Sequence, residues 1–145
     1  LAGLARDTLR FLEVECERRG VRASLRTSAP VPMRGSRDEF EQVLLNLCIN
    51  ALQAQPKGGQ LIVEVSADAE HTSLVVDDAG PGVPEAIRAQ IFTPFCTTKD
   101  AGEGTGLGLA ICEELVHQQG GTIRVEASPI GGARFCVTLP PAERR

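Results

Sequence analysis

Val75-Val76-Asp77-Asp78-Ala79-Gly80-Pro81-Gly82 carries two β-branched residues into a pair of acids and then into a turn with glycine at positions 80 and 82. A carboxylate placed where a strand ends and the backbone turns sharply can accept from an exocyclic amine. Glycines at 80 and 82 would let a flat ring approach the backbone with no Cβ in the way. A charge-assisted bond of that kind contributes about 1.5–3 kcal/mol. Asp-x-Gly-x-Gly also occurs in plain turns, so its meaning depends on what flanks it.

Upstream, a helix is expected over 37–55, where Phe40, Val43, Leu44, Leu47 and Ala51 recur at helical spacing and Pro56 with Gly58-Gly59 ends the run. Asn46 and Asn50 are four apart, hence on one side of that helix, and Gln53 follows three further on. Asparagine inside a helix costs roughly half a kcal/mol relative to alanine, so something should compensate the pair. A neutral carboxamide oxygen is a hard ligand suited to Mg²⁺, which takes most of its other ligands from water and substrate phosphates. The same pair would serve equally to cap neighbouring loops.

Downstream, nine of the 32 positions from Asp77 to Gly108 are Gly or Pro, with only a short helix expected over 84–91. So long an irregular stretch inside a compact domain reads as a functional loop. It closes on Gly102-Glu103-Gly104-Thr105-Gly106-Leu107-Gly108, four glycines at every second position leading into a helix over 107–118. Exposed backbone N–H groups and a helix start suit polyphosphate. The loop is not GxxxxGK[ST], and no GxGxxG directly follows a strand. Just before it, Phe92-Thr93-Pro94-Phe95-Cys96-Thr97-Thr98-Lys99 offers two rings and one cation, the cation being equally readable as a solvated surface charge.

The rest of the chain frames these features. Leu1, Ala5, Leu9, Leu12 and Cys16 predict an amphipathic helix that closes at Gly20. Extended segments follow at 21–27 and 31–34, then strands at 61–66 and 72–76 around the turn 68–71. A last hairpin pairs 122–126 with 133–139 across Gly131-Gly132, and Pro140-Pro141 stops it. The sum is α+β: a two-layer sandwich of about three helices on a mixed, mostly antiparallel sheet of about five strands.

A length of 145 residues is that of one domain, and 42% hydrophobic with 23% charged residues excludes both disorder and a membrane span. The net charge of −4 leaves no basic stripe, and with no Trp, no Tyr and five Phe there is little to stack bases, so neither nucleic acid nor a membrane surface is an expected partner. Cys16, Cys48, Cys96, Cys112 and Cys136 are odd in number and form no CxxC, which points to small buried hydrophobes in a reducing, cytoplasmic compartment rather than to disulfides or zinc. The chain opens without Met in what reads as mid-helix and is taken as a piece of a longer protein.

An asparagine helix, an Asp-x-Gly-x-Gly turn and a glycine-rich loop, in this order, resemble the asparagine box and the two glycine boxes of the ATP-binding Bergerat (GHKL) fold. That fold is shared by sensor histidine kinases, gyrase-type ATPases and their chaperone and mismatch-repair relatives. Phe92–Lys99 resembles the phenylalanine box of the histidine kinases, and the run Asn50–Pro56 with Thr97-Thr98-Lys99 looks most like the nitrogen-regulation type. The resemblance implies ATP and Mg²⁺ as ligands, with Asn50 on the metal and Asn46 beside it. Asp78 would hold the adenine amino group and Gly80 and Gly82 would pass beneath the ring. Gly104, Thr105, Gly106, Leu107 and Gly108 would surround the phosphates in a flexible lid, and Lys99, with Thr97 or Thr98, would lie over the γ-phosphate. Many members carry Lys or Arg where Gln53 stands, so a contact from there would be neutral.

The hydrolysing branches resemble one another in a water-activating Glu at the place of Asn46, a base role that an amide cannot fill. Phosphoryl transfer needs mainly positioning and charge neutralisation, for which Asn46, Asn50 and Lys99 suffice. His71 and His117 lack the surroundings of a phosphoacceptor. The acceptor His, its dimerising helical hairpin and the response-regulator contact are therefore expected on a domain before residue 1. On this reading 1–20 leads in from that domain and 21–145 is the catalytic domain. It would be cytoplasmic, including as the inner part of a membrane-bound sensor, and would dimerise only through the missing helices. A catalytically degenerate nucleotide-binding module and a GHKL-type ATPase are the alternatives.

Overall fold

The computed structural model describes residues 2–27, 37–93 and 108–140. In chain order these form α1 (Ala2–Phe11), α2 (Glu13–Arg19), β1 (Val21–Arg26), α3 (Arg37–Gln53), β2 (Gly59–Ala67), β3 (Thr72–Asp78), a 3₁₀ turn (Glu85–Ile87), α4 (Gly108–Gln118), β4 (Thr122–Ala127) and β5 (Ala133–Leu139). The strands make one sheet in the order β1-β2-β3-β5-β4. Only β1 with β2 runs parallel, and the other three pairings are antiparallel. The α+β sandwich expected from the sequence is the fold observed.

Side-chain alternation decides which face of the sheet carries the core. Leu61, Val63 and Val65 on β2 stand opposite Asp78, Val76 and Leu74 on β3, while Val76 and Leu74 stand opposite Phe135 and Val137 on β5. All are buried, and the apolar ones share one core with Val43, Leu44 and Leu47 of α3 and Val116 of α4. Phe92 meets Phe135 edge-on with ring centroids 6.3 Å apart. Period two therefore sends Asp78 toward the helical layer and its neighbour Asp77 to the other face of the sheet.

Two expectations change. The first helix is broken at Leu12, whose backbone (φ −89°, ψ 2°) leaves the helical region, so the described residues form four α-helices where about three were expected. One turn earlier, the buried Thr8 hydroxyl donates to the Leu4 carbonyl oxygen at 2.9 Å, a back-bond that bends helices. Both halves still contribute Leu4, Ala5, Leu12 and Cys16 to the core. The helix expected over 84–91 is a single 3₁₀ turn continued by further i to i+3 bonds, Gln90 to Ile87 and Thr93 to Gln90, each at 2.9 Å. That tighter path brings Ile91 and Phe92 into the core.

The extended segment at 31–34 lies outside the described residues. Cys16, Cys48, Cys112 and Cys136 are buried free thiols, as expected, and burial pushes Cys48 and Cys112 up to about 12. Cys96 lies outside the described residues. No helix among the described residues is long and apolar enough to cross a membrane.

Candidate functional site

Asp78, the last residue of β3, is 1% exposed. Its Oδ1 accepts from the backbone N–H of Gly80 at 2.9 Å and of Ala133 at 3.2 Å. Both bonds are to Oδ1, so a further donor would be taken on Oδ2. Burial raises the carboxyl above its ordinary range, against the lowering pull of the Gly80 and Ala133 N–H groups. A buried acid with no cation beside it among the described residues is costly to stability, and such groups concentrate at binding sites.

The turn after Asp78 is clamped from two sides. Gly132, in the β4–β5 hairpin, donates its N–H to the Asp78 carbonyl oxygen at 3.1 Å. A Cβ on Gly132 would stand 2.1 Å from Asp78 Oδ1 and 2.4 Å from the Asp78 carbonyl oxygen, so only glycine fits. On the other side a Cβ on Gly80 would stand 2.8 Å from the Ala54 carbonyl oxygen. Gly80 is thus required by the approach of the turn to the end of α3, a reason different from the ring contact that the sequence suggests. Gly82 has φ +78°, where L side chains are strained.

From Ala54 the site runs back along α3. Asn50 is one turn before Ala54, whose N–H donates to the Asn50 carbonyl oxygen at 3.1 Å. Asn46 is one turn further, and its Nδ2 donates to the carbonyl oxygen of Gly108, the first residue of α4, at 3.4 Å. Gln42 Nε2 donates to Asn46 Oδ1 at 3.5 Å. Eight residues of helix rise about 12 Å, so Asp78 and its turn, Asn50, Asn46 and the N-terminus of α4 line up over the length of an extended nucleotide. Both carboxamides are half-buried.

Among the described residues no cluster of three His, Cys, Asp or Glu forms a metal cage by itself. A carboxamide donor fits a Mg²⁺ ion held largely by phosphates and water. Structure therefore brings together Asn46, Asn50, Asp78, Gly80, Gly82 and Gly108. Lys99, Gly104, Thr105, Gly106 and Leu107, with Thr97 and Thr98, lie outside the described residues. His71 and His117 are both exposed, in the β2–β3 connection and the last turn of α4.

Sequence reasoning missed three supports. Asp77, on the outer face of the sheet, takes Arg134 Nε at 2.8 Å and its terminal nitrogen at 2.9 Å, together with the Ser128 hydroxyl at 2.9 Å. The fork raises the Arg134 guanidinium further above its already high value. Ser128 accepts the Ile130 N–H, so this network also fixes the hairpin that holds Asp78. The one available signal was a second acid inside a β-branched run. The third support, Gln55, is 3% exposed and gave no signal beyond its place before Pro56.

The sequence pattern of the family described as histidine kinase-, DNA gyrase B- and HSP90-like ATPase matches residues 35–143. The sensor histidine kinase ZraS of Escherichia coli O157:H7 is 45% identical over 103 residues, 71% of this chain and 22% of its own length. The nucleotide-free catalytic domain of histidine kinase ThkA superposes with a TM-score of 0.87 at 28% identity, covering 97% of this chain and 94% of that one. Full-length ShkA in complex with AMPPNP gives 0.87 at 30% identity over 99% of this chain and 30% of that one. The chain spans from 11% to 26% of the length of the curated relatives it matches.

Proposed function

The chain belongs to the histidine kinase-, DNA gyrase B- and HSP90-like ATPase family, with the ATP-binding catalytic fold of sensor histidine kinases, and we propose that it presents the γ-phosphate of Mg-ATP to a histidine on a separate domain of its full-length protein. The observation that carries this reading is Asp78: a buried carboxylate with one oxygen fixed by backbone and the other left for a donor, at the head of a helix face bearing two carboxamides.

On this reading Asp78 Oδ2 accepts from the adenine amino group, and the clamped turn keeps the carboxylate from rotating away. Asn50 supplies an oxygen to the cation, and Asn46 faces the phosphates while tying α3 to the start of α4. The N–H groups that open α4 at Gly108 favour negative charge. Bound Mg²⁺ would neutralise phosphate charge as the phosphoryl group leaves. Lys99, Gly104, Thr105, Gly106 and Leu107 enter through the family resemblance as further phosphate contacts. Asn46 cannot act as a general base, which supports transfer to an acceptor that arrives already activated over hydrolysis of water.

On this reading the acceptor histidine and the dimerising helices lie on a domain outside this chain, the response regulator is a separate partner that contacts that domain, and α1 and α2 lead in from it. The Asn50–Pro56 run supports a nitrogen-regulation subtype. The test is transfer of label from γ-labelled ATP to the phosphoacceptor domain of the full-length protein, added in trans. Label on that domain, lost in Asp78→Asn and Asn50→Ala, is the expected result. Binding without transfer would make the chain a degenerate nucleotide module. Steady phosphate release without an acceptor, abolished by Asn46→Ala, would make it an ATPase.

A further inference from the structure

Gln55, just past the end of α3, is a polar residue only 3% exposed, with all of its side chain's hydrogen-bonding capacity used. Nε2 donates to the Ala51 carbonyl oxygen at 3.1 Å and to that of Gln60 at 2.9 Å. Oε1 accepts from Gln60 N–H at 2.9 Å and from Ala79 N–H at 3.0 Å. One carboxamide thus binds the end of α3, the start of β2 and the residue that follows Asp78. Two donors facing two carbonyls, and one oxygen facing two N–H groups, leave the amide a single orientation.

The backbone around Gln55 is shaped to admit it. A Cβ on Gly59 would stand 1.9 Å from Gln55 Oε1, so the strand passes there as glycine. Ala54, the residue before, is the one against which Gly80 is packed, so the turn 79–80 rests on two consecutive residues of the α3 terminus. Gly80 N–H holds Asp78 Oδ1, and the Gln55 bond to Ala79 N–H fixes the Asp78–Ala79 peptide, the one that joins the acid to the peptide carrying that donor. A side chain required only to end a helix would have no need to reach Ala79.

We propose that Gln55 is a positioning residue for adenine selectivity: its carboxamide holds the turn after Asp78 so that the free carboxylate oxygen meets the 6-amino group, and it acts through Asp78 without touching the nucleotide. This rests on the reading of Asp78 given above.

The experiment compares affinities for ADP and for purine riboside 5′-diphosphate, which lacks only the 6-amino group, in the wild-type chain, Asp78→Asn, Gln55→Met and Gln55→Glu. Wild type should prefer ADP by roughly tenfold or more, since a charge-assisted bond is at stake. Asp78→Asn should abolish the preference. Gln55→Met, checked as folded by circular dichroism, should bring ADP to within about twofold of the analogue while the analogue's own affinity stays within about twofold of wild type. A merely structural role would weaken both nucleotides by one factor, or neither, and either result overturns the proposal. Gln55→Glu keeps the oxygen that takes Ala79 N–H and should retain the preference to within about threefold. Should Gln55→Met not fold, Gln55→Glu decides: loss of the preference, or equal weakening of both nucleotides, overturns it. A wild-type chain with no preference, or Asp78→Asn that keeps one, removes the Asp78 reading and the proposal with it.

Discussion

Around the Asp77–Asp78 pair the carboxylates are held by bonds of 2.8 to 3.2 Å, Asp78 to Gly80 and Ala133 and Asp77 to Arg134 and Ser128, whereas at the Asn46 end the bonds to Gly108 and Gln42 are 3.4 and 3.5 Å long. One end is assembled before any ligand arrives, and the other is loosely tied. Preorganisation lowers the cost of ordering a site on binding, so the Asp78 end is suited to recognise and the Asn46 end to adapt to charge that changes during reaction. The same division appears within one dipeptide: Asp77 is neutralised by a two-pronged guanidinium, and among the described residues Asp78 is held by backbone N–H groups.

The comparison breaks most sharply at Gly132. Gly132→Ala would set a Cβ against the Asp78 carboxylate, its carbonyl oxygen and the Gly80 nitrogen at once. None of the three can retreat, and the loss should reach roughly 3 kcal/mol in urea unfolding, with nucleotide binding abolished. Arg134→Met comes next. It strands the Asp77 carboxylate, whose side chain is only 5% exposed, and should cost about 2–3 kcal/mol. The Arg134 side chain is 30% exposed, which lets some water take its place and keeps the loss at the low end of that for a buried pair.

A smaller effect has the opposite sign. The folded value of Asp78 is raised by burial, so its contribution to stability is fully present below the ordinary carboxylate value of about 3.9 and is lost as pH rises through the elevated value. Asp78→Asn keeps an oxygen for the Gly80 and Ala133 N–H groups without the charge. It should therefore stabilise the nucleotide-free chain by about 1 kcal/mol near pH 7, a gain that shrinks toward zero below about pH 4. Urea midpoints across that range check it. At the loose end, Asn46→Ala trades a long hydrogen bond for better helix propensity, so its stability should stay within about 0.5 kcal/mol of wild type while Mg-nucleotide affinity falls.

What the sequence made legible was local. The spacing of Phe40, Val43, Leu44, Leu47 and Ala51 located α3, and alternation in Leu61, Val63 and Val65 located β2, because periodicity reports which side faces the core. Asp78 was legible as an acid at a strand end. A further requirement for glycine at 80 was not legible, because it is a close approach to Ala54, 26 positions back in the chain. Gln55 meets Ala79 across 24 residues and Asp77 meets Arg134 across 57, and no pattern within one element announces such bonds. The break at Leu12 was hidden as well, since the apolar spacing, and the bonds from Leu12 N–H to the Thr8 carbonyl oxygen and from Cys16 N–H to the Leu12 carbonyl oxygen, continue through a residue whose dihedral angles leave the helical region.

The central claim is that Asp78 reads an adenine nucleotide while Asn50 carries its metal. Calorimetric titration of this chain with AMPPNP, with Mg²⁺ and with chelator, in wild type, Asp78→Asn and Asn50→Ala, tests it most directly. The account predicts saturable binding in wild type, loss of roughly tenfold to a hundredfold in Asp78→Asn although that variant is the more stable, and a metal dependence that disappears in Asn50→Ala. Unchanged affinity in Asp78→Asn, or no binding by the wild-type chain at millimolar nucleotide, would contradict it.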